Sequence, residues 1–373
     1  MNYNIADYVN WRGDLTFEVS PVNIVDIIIL SQIALPDLSK CIPRQGCTLA
    51  ECVDNYVKTG ESNKKIGLLI PETINQLFVK MADTARFSGL LLSDYMRDID
   101  NTVEVQFSAL TIDAPTVKTR FVIYSGTDDT IVGWKENFNL IYKTPTVAQL
   151  ESVKYLESAA KDYDGDLIVL GHSKGGHLAL YCAINCSEDV YAKIVKSVNL
   201  DGPGIPENED VVKRYHSKEE KILSIMPQSS VIGRLFEHSE KCIIVHSDNK
   251  GLYQHDCFSW MVKGTDIVPD HEFTEEGTGI DSGMREILSG MDDDERENFV
   301  EGLFGMFYAT DSTTLTELAN SKGLLKAYIS SDSDKRKAVN RTLIKILKNK
   351  YLRRCIIETN RQSKDYISVE DDD

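Results

Sequence analysis

The stretch Leu167-Ile168-Val169-Leu170-Gly171-His172-Ser173-Lys174-Gly175-Gly176-His177-Leu178-Ala179-Leu180 decides how the rest of the chain is interpreted. It predicts a short buried strand, a sharp turn that carries one serine, and an amphipathic helix. Gly171 and Gly175 flank Ser173 two residues to either side, which is the G-x-S-x-G pattern of a nucleophile elbow. Glycine is expected there because the strand and the helix cross too closely for a Cβ. Ser173 is therefore the predicted nucleophile. The alternative is a glycine-rich turn in which the serine has no catalytic role.

Strand and helix patterns alternate on both sides of this stretch. Strands are predicted over residues 103–111 (half-buried), 119–124, 194–200, 221–226 and 241–246. Helical spacing separates several of them, most clearly over residues 146–163. This alternation predicts an α/β protein with a mostly parallel sheet that helices cover on both faces.

The two ends of the chain are predicted to be helical. Residues 47–60 and 72–98 are interpreted as two helices on the N-terminal side. After about residue 266 the sequence becomes highly charged and helical, with no further strand expected. We therefore predict a hydrolase domain over residues 1–265 with an N-terminal helical segment. A C-terminal helical region follows over residues 266–373 and is predicted to end in a disordered acidic tail.

Composition restricts the class of protein and its partners. The chain has 373 residues, 42% hydrophobic and 27% charged, as in soluble globular proteins. The net charge of −17 argues against nucleic acid or a bare anionic membrane as a partner. No signal peptide is recognisable, and the longest apolar stretch is too short for stable membrane insertion. The eight cysteines lack C-x-x-C pairs, so a reduced cytoplasmic protein is predicted. Its oligomeric state stays open.

A serine nucleophile needs a histidine base, and His255 is the best candidate. It lies in a short loop, Gly251-Leu252-Tyr253-Gln254-His255-Asp256, after the last predicted strand of the sheet. A base on such a loop can reach the elbow. By contrast, His246 ends a strand and His238 lies in a charged connector, so both are interpreted as structural or exposed.

Asp201 is the preferred acid to orient that histidine. It ends the strand that follows the elbow helix, and the loop after the next strand, residues 227–232, contains no carboxylate. Asp256 is an alternative, but it is too close to His255 in sequence to orient the ring. Asp201 could equally accept hydrogen bonds from its own Gly-Pro-Gly turn.

Two donors are predicted for an oxyanion. One is the backbone N–H of Lys174, directly after the nucleophile, and the other is Thr127, through its N–H and its hydroxyl. The alternative for Thr127 is an ordinary capping turn. The neighbouring carboxylates Asp128 and Asp129 lack accompanying histidine or cysteine ligands, so no metal and no cofactor is predicted.

Three motifs together resemble a known family. They are Ser125-Gly126-Thr127-Asp128-Asp129-Thr130, Gly171-His172-Ser173-Lys174-Gly175-Gly176 and Asn199-Leu200-Asp201-Gly202-Pro203-Gly204. They resemble a bacterial group of lipase-like α/β hydrolases, formerly catalogued as a domain of unknown function and related to the class 3 (fungal-type) lipases. Trp11-Arg12-Gly13-Asp14-Leu15 and Gln254-His255-Asp256 also fit, so the resemblance extends over about residues 1–265.

The resemblance implies an α/β-hydrolase fold with Ser173 as nucleophile, His255 as base and Thr127 as oxyanion residue. Two positions depart from the class 3 pattern. Ser125 stands where those lipases usually have arginine, and Ser230-Val231-Ile232-Gly233 replaces their Asp-x-Val-Pro-like acid loop. Pancreatic-type lipases resemble this chain in carrying their acid where Asp201 lies.

The sequence therefore predicts a serine ester hydrolase that cleaves acyl esters, with acyl lipids favoured by the resemblance. A peptidase or acyltransferase with the same triad is not separated from it by sequence. Because the class 3 acid loop is replaced, a second hypothesis is an inactive hydrolase scaffold that binds a protein or a ligand.

Overall fold

Residues 3–206 and 209–370 are described by a computed structural model, in which one large sheet forms the centre. The strands are β1 (Cys47–Thr48), β2 (Leu91–Asp100), β3 (Val105–Ala114), β4 (Thr119–Tyr124), β5 (Asp166–His172), β6 (Ile194–Leu200), β7 (Ile222–Pro227), β8 (Lys241–Val245), β9 (Val262–Lys263), β10 (Asp266–Ile267) and β11 (Pro269–Asp270). Within these described ranges, the sheet has nine strands in the order β1-β2-β3-β4-β5-β6-β7-β8-β11. Strands β4 to β8 are parallel, and both edges are antiparallel.

The helices are α1 (Ile5–Arg12), α2 (Ile24–Gln32), α3 (Leu49–Lys58), α4 (Thr73–Met81), α5 (Ile131–Asn139), α6 (Val147–Ala160), α7 (Lys174–Asn185), α8 (Glu188–Lys193), α9 (Glu209–Lys218), α10 (Glu275–Ser289), α11 (Asp293–Tyr308), α12 (Leu315–Ala319), α13 (Leu324–Ser330), α14 (Ser333–Lys348) and α15 (Lys350–Glu370). Several begin with a capping box, in which the N-cap side chain and the third helical residue satisfy each other's backbone N–H groups. Asn23 and Asp26 do so at α2.

Alternate side chains of the central strands enter two separate cores. In β4, Phe121 and Ile123 pack against the N-terminal helices, whereas Val122 and Tyr124 pack against α6 and α7. Strand β5 is divided in the same way, so helices cover both faces of the parallel part of the sheet. The predicted α/β-hydrolase fold is confirmed.

Three details of the sequence interpretation are wrong. The helix predicted over 72–98 ends at Met81, because Leu91–Asp100 pairs with β3 as a strand with an irregularity between Ser93 and Met96. Strand β3 is buried on both faces rather than one, because helices pack on each side. No strand was expected after about residue 266, but β10 begins at Asp266 and β11 at Pro269, and β11 pairs with β8.

The C-terminal helices form a further apolar core with α5. Phe299, Val300 and Phe304 of α11 are buried there together with Ile131 of α5. The segment before α12 contacts the start of α5, because the Ile131 N–H donates to the Thr313 carbonyl at 2.9 Å. The domain boundary at residue 265 stays a prediction. Residues 371–373 of the predicted acidic tail lie outside the described residues.

Candidate active site

Ser173 occupies the sharp turn between β5 and α7. Its backbone has φ 59° and ψ −126°, a region that residues other than glycine rarely adopt. The glycines around it allow this turn to form. A Cβ on Gly171 would lie 2.2 Å from the carbonyl carbon of Gly175, and one on Gly175 would lie 2.0 Å from the Tyr124 carbonyl oxygen. The predicted need for glycine at both positions is confirmed.

The sequence-predicted residues meet at one edge of the sheet. Loops at the carboxyl ends of consecutive parallel strands carry Thr127 (after β4), Ser173 (β5), Asp201 (β6), Ser230 (β7) and His255 (β8). A Cβ on Gly126 would lie 3.6 Å from the Ser173 Cβ, and one on Gly202 would lie 2.2 Å from the Ser173 carbonyl oxygen. Ligands of open α/β sheets bind at this edge.

His255 and Asp201 form a short hydrogen bond. His255 Nδ1 lies 2.6 Å from Asp201 Oδ2, and Asp201 is 1% exposed. The second carboxylate oxygen accepts the Ser230 hydroxyl at 2.5 Å. Because a carboxylate can only accept, Nδ1 of the neutral ring carries the proton and Nε2 is left as the basic nitrogen. Asp201 also has a positive φ of 48°, so the site contains two unusual backbone conformations.

The other predicted acid and histidines have different partners. Asp256 Oδ1 accepts the Phe258 N–H at 2.9 Å, and burial raises the Asp256 pKa to about 6. His246 pairs with Asp270 at 2.9 Å. His238 pairs with the buried Glu240 at 2.8 Å. Asp256 therefore caps a short helical turn rather than orienting His255.

His172 is a member of the site that sequence reasoning did not identify. Its ring lies 4.4 Å from the His255 ring, and its Nε2–H donates to the His255 carbonyl at 2.8 Å. Burial holds the His172 pKa well below its ordinary value, so the ring stays neutral. The signal available in the sequence was its position directly before Ser173, which ties it to the elbow.

His177, one helical turn after Ser173, is held inside the protein. Its Nδ1–H donates to the carbonyls of Pro203 and Gly204, and its Nε2 accepts from Gln149 at 2.8 Å. Burial lowers the His177 pKa to about 4. The ring is therefore a neutral part of the buried packing.

The Ser173 hydroxyl itself has no hydrogen bond within residues 3–206 and 209–370, and neither does His255 Nε2. The structure thus joins His255 to Asp201 but leaves Ser173 unbonded to the histidine. Such hydrogen bonds are commonly long or absent until a substrate is bound.

Thr127 lies beside the elbow with its hydroxyl partly constrained. Asn137 Nδ2–H of α5 donates to Thr127 Oγ1 at 2.5 Å, which leaves the hydroxyl proton available to another acceptor. Asn137 Oδ1 is buried without a partner in the described residues. Sequence reasoning missed Asn137, because only the α5 helix brings it back to Thr127.

The side chain of Lys174 points away from the reaction edge. Its ammonium forms an ion pair with Glu136 and donates to the Gln106 carbonyl at 2.5 Å, both deep in the protein. Glu136 also accepts the N–H groups of Gln106 and Ala148. Only the backbone N–H of Lys174, in the first turn of α7, therefore remains as an oxyanion donor.

A pocket of about 240 Å³ opens beside the Thr127 loop. Its lining combines apolar and charged side chains: Leu35, Pro36, Asp37, Tyr56, Glu61, Lys64, Lys65, Ile66, Arg97 and Asp128. Leu35 links the pocket to the elbow, since a Cβ on Gly126 would lie 3.6 Å from Leu35 Cδ2. Asp129 holds the segment that follows the pocket residue Ile66, because its Oδ1 accepts the Leu68 N–H at 2.9 Å.

The described residues contain no group of three or more His, Cys, Asp or Glu side chains arranged to hold a metal ion. None of the helices in the same part of the chain combines the length and apolarity needed to cross a bilayer.

The site's residues lie within a stretch that has known relatives. The Mbeg1-like family model matches residues 81–305, which include all five predicted site residues. The chain belongs to the Mbeg1-like family. Among curated proteins, none matches this sequence.

Solved structures of fungal lipases are similar to this Mbeg1-like chain at low identity. The Lip2 lipase from Yarrowia lipolytica is 15% identical with a TM-score of 0.37, covering 65% of this chain and 84% of that one. Lipase II from Rhizopus niveus is 11% identical with a TM-score of 0.36, covering 66% and 87%. A mutant form of MDLA from Penicillium cyclopium is 12% identical with a TM-score of 0.38, covering 65% and 84%.

Proposed function

We propose that this protein is a serine ester hydrolase of the lipase-like type, with Ser173, His255 and Asp201 as its triad. The observation that carries the proposal is the 2.6 Å contact of His255 Nδ1 with the buried Asp201 carboxylate, on loops at the same edge of the sheet as the Ser173 turn. A third residue that fixes the tautomer of the base is the element that serine catalysis requires. We also propose that the protein is related to the bacterial lipase-like hydrolases.

The reaction proceeds in two displacements. Ser173 Oγ attacks the acyl carbonyl carbon while His255 Nε2 takes the hydroxyl proton. The tetrahedral oxyanion accepts hydrogen bonds from the Lys174 N–H and from Thr127. The carbon–oxygen bond to the alcohol then breaks, and His255 returns the proton to the leaving oxygen. Water, deprotonated by His255, releases the acid from the acyl-enzyme.

The favoured substrates are acyl esters derived from lipids. The pocket beside Thr127 supports this class, because its apolar residues Leu35 and Ile66 stand next to charged groups such as Arg97. Such a lining suits an ester with an apolar acyl part and a polar head. We also propose a cytoplasmic location, which the eight unpaired cysteines fit.

Hydrolysis of a short-chain p-nitrophenyl ester tests the proposal. We expect turnover by the native protein and a loss of about 10⁴-fold or more in kcat/KM for Ser173→Ala and for His255→Ala. Ser259→Ala is the matched control, because Ser259 lies in the turn after His255 and bonds to Ser247 instead. Equal activity of native protein and Ser173→Ala would overturn the proposal.

A second candidate function is a hydrolase scaffold that binds without turnover. The observation that favours it is the lack of any hydrogen bond from Ser173 Oγ in the described residues. Native protein that shows no ester turnover but saturable binding of a fatty-acid ester, measured by calorimetry, would favour this candidate.

A further inference from the structure

The overall negative charge of the chain conceals one strongly basic region. Residues 335–361 contain ten Lys and Arg against a single acidic residue, Glu358. The remainder of the chain contains 31 Lys and Arg against 57 Asp and Glu. This reversal of sign is confined to α14 and the first half of α15. Blocks of one charge on a structured surface indicate a partner of the opposite charge.

The same two helices expose large apolar side chains to solvent. Leu343 is 44%, Ile344 51% and Leu347 53% exposed on α14, and Ile356 and Ile357 are 39% and 44% exposed on α15. Val339 and Leu352 of the same helices are buried, one helical turn before Leu343 and Ile356. The apolar face of each helix is therefore wider than the part that packs against the C-terminal core, and the rest of that face is exposed.

Several basic groups near this stripe are not neutralised. Within the described residues, Lys348, Lys350 and Arg353 form no ion pair with a carboxylate. Lys348 and Lys350 lie where α14 passes into α15, next to Leu347. Basic groups beside exposed aliphatic side chains on a helix are typical of a surface that lies on an anionic lipid interface.

We propose that the solvent faces of α14 and α15 bind the surface of a bilayer that contains anionic phospholipids. The aliphatic side chains enter the acyl boundary, while lysine and arginine contact headgroup phosphates. The binding is peripheral, and neither helix crosses the bilayer. This inference goes beyond the proposed ester hydrolysis and does not depend on it.

The geometry connects this surface to the candidate active site. The inner side of α15 holds the turn that ends in His255, because Thr359 Oγ1 accepts the Leu252 N–H at 3.0 Å and Gln362 Oε1 accepts the Lys250 N–H at 3.1 Å. One helix therefore contacts the His255 turn through Thr359 and Gln362, and it presents Arg353 and Ile357 to solvent on another side. A membrane-bound protein would have its candidate active site one helix away from the lipid.

Co-sedimentation of the full-length protein with vesicles tests the proposal. We expect binding to phosphatidylcholine vesicles that contain phosphatidylglycerol, little binding to phosphatidylcholine alone, and release by high salt. The variant Lys348→Glu/Lys350→Glu/Arg353→Glu should bind about 100-fold more weakly. A second variant, Leu343→Ser/Leu347→Ser, should also bind more weakly while keeping the basic charge.

The matched control is Lys80→Glu/Lys161→Glu/Lys196→Glu, which changes the net charge equally at exposed lysines elsewhere. It should bind as the native protein does, and circular dichroism should show that every variant is folded. Ser173→Ala should bind normally, so a failed hydrolysis assay and failed membrane binding are distinguishable. The proposal is overturned by equal loss in the control, by equal binding to neutral vesicles, or by no sedimentation at low salt. It is also overturned if the surface instead forms a dimer or binds RNA without binding vesicles.

Discussion

The edge of the sheet around Ser173 and the surface of α14 and α15 are built in opposite ways. At and behind this edge, polar groups are paired with buried partners, as in His255 with Asp201 and Lys174 with Glu136. On the helical surface, apolar side chains are exposed and basic groups such as Arg353 have no carboxylate partner in the described residues. The first arrangement holds atoms in fixed positions for chemistry, and the second leaves groups available for a partner.

This contrast predicts where substitutions act. Changes at the sheet edge should alter activity or the free energy of unfolding by large amounts, because buried polar groups lose their partners. Changes on the helical surface should leave the fold nearly unaffected, because the surrounding water replaces what is removed.

The largest expected effect is on the acid that orients the base. Asp201→Asn should lower kcat/KM for a p-nitrophenyl ester about 10⁴-fold, because the amide favours the wrong tautomer of His255. Asp256→Asn is the control and should change the rate little, since Asp256 caps a turn. Steady-state kinetics would contradict the assignment if the Asp256 variant were the more damaged.

The buried ion pair beside the elbow should dominate stability. Glu136→Ala leaves the Lys174 ammonium buried without its counter-ion, so we expect a loss of about 3–5 kcal/mol in the free energy of unfolding. Urea denaturation measures it. Glu151→Ala, which breaks the exposed pair with Lys154, should cost less than about 1 kcal/mol. Similar losses in both variants would remove the distinction between buried and exposed charge.

His177 should make the fold sensitive to acid. Because burial lowers its pKa to about 4, the unfolded chain takes up a proton first as the pH falls below about 6.5. Stability from this residue is therefore present at pH 7 and declines toward pH 4, by about 2 kcal/mol at pH 5. Burial raises the Asp256 pKa to about 6, so protonation of Asp256 favours the folded protein as the pH falls. This effect partly cancels the loss of stability from His177.

Substitution of His177 isolates its contribution. His177→Gln should reduce the fall in unfolding free energy between pH 7 and pH 5 relative to the native protein. Urea denaturation at both pH values provides the comparison. An unchanged pH dependence in the His177 variant would show that its ring is not held neutral.

The smallest effect concerns backbone strain at the elbow. Both Ser173→Ala and Ser173→Gly remove the hydroxyl, but only glycine adopts φ 59° without a steric penalty. We expect the glycine variant to be more stable than the alanine variant by about 1 kcal/mol in the free energy of unfolding. An alanine variant of equal or higher stability would show that the turn is not strained.

The sequence predicted the parallel sheet and the elbow well because both depend on local patterns. A buried strand, two glycines and a helix lie within fourteen consecutive residues, and the structure confirms that turn. The proximity of His255 to Asp201 was also predicted, since both follow strands of one parallel sheet. Their catalytic roles stay predictions.

The features that were missed depend on contacts between distant residues. Strand β2 mixes apolar and polar residues on its exposed side and is stabilised by pairing with β3, so its own sequence was interpreted as helix and connector. Helix α5 folds back toward the sheet and carries two of the missed residues. Through it, Asn137 contacts Thr127 and Glu136 pairs with Lys174. The basic surface was obscured by a net charge counted over the whole chain.

Covalent labelling with a fluorophosphonate, followed by peptide mapping, tests the central claim most directly. We predict one phosphonyl group per chain, located on Ser173, with labelling abolished in Ser173→Ala and strongly slowed in His255→Ala. Folded native protein that remains unlabelled, or Ser173→Ala that labels as fast as the native protein, would contradict the claim that Ser173 is the nucleophile.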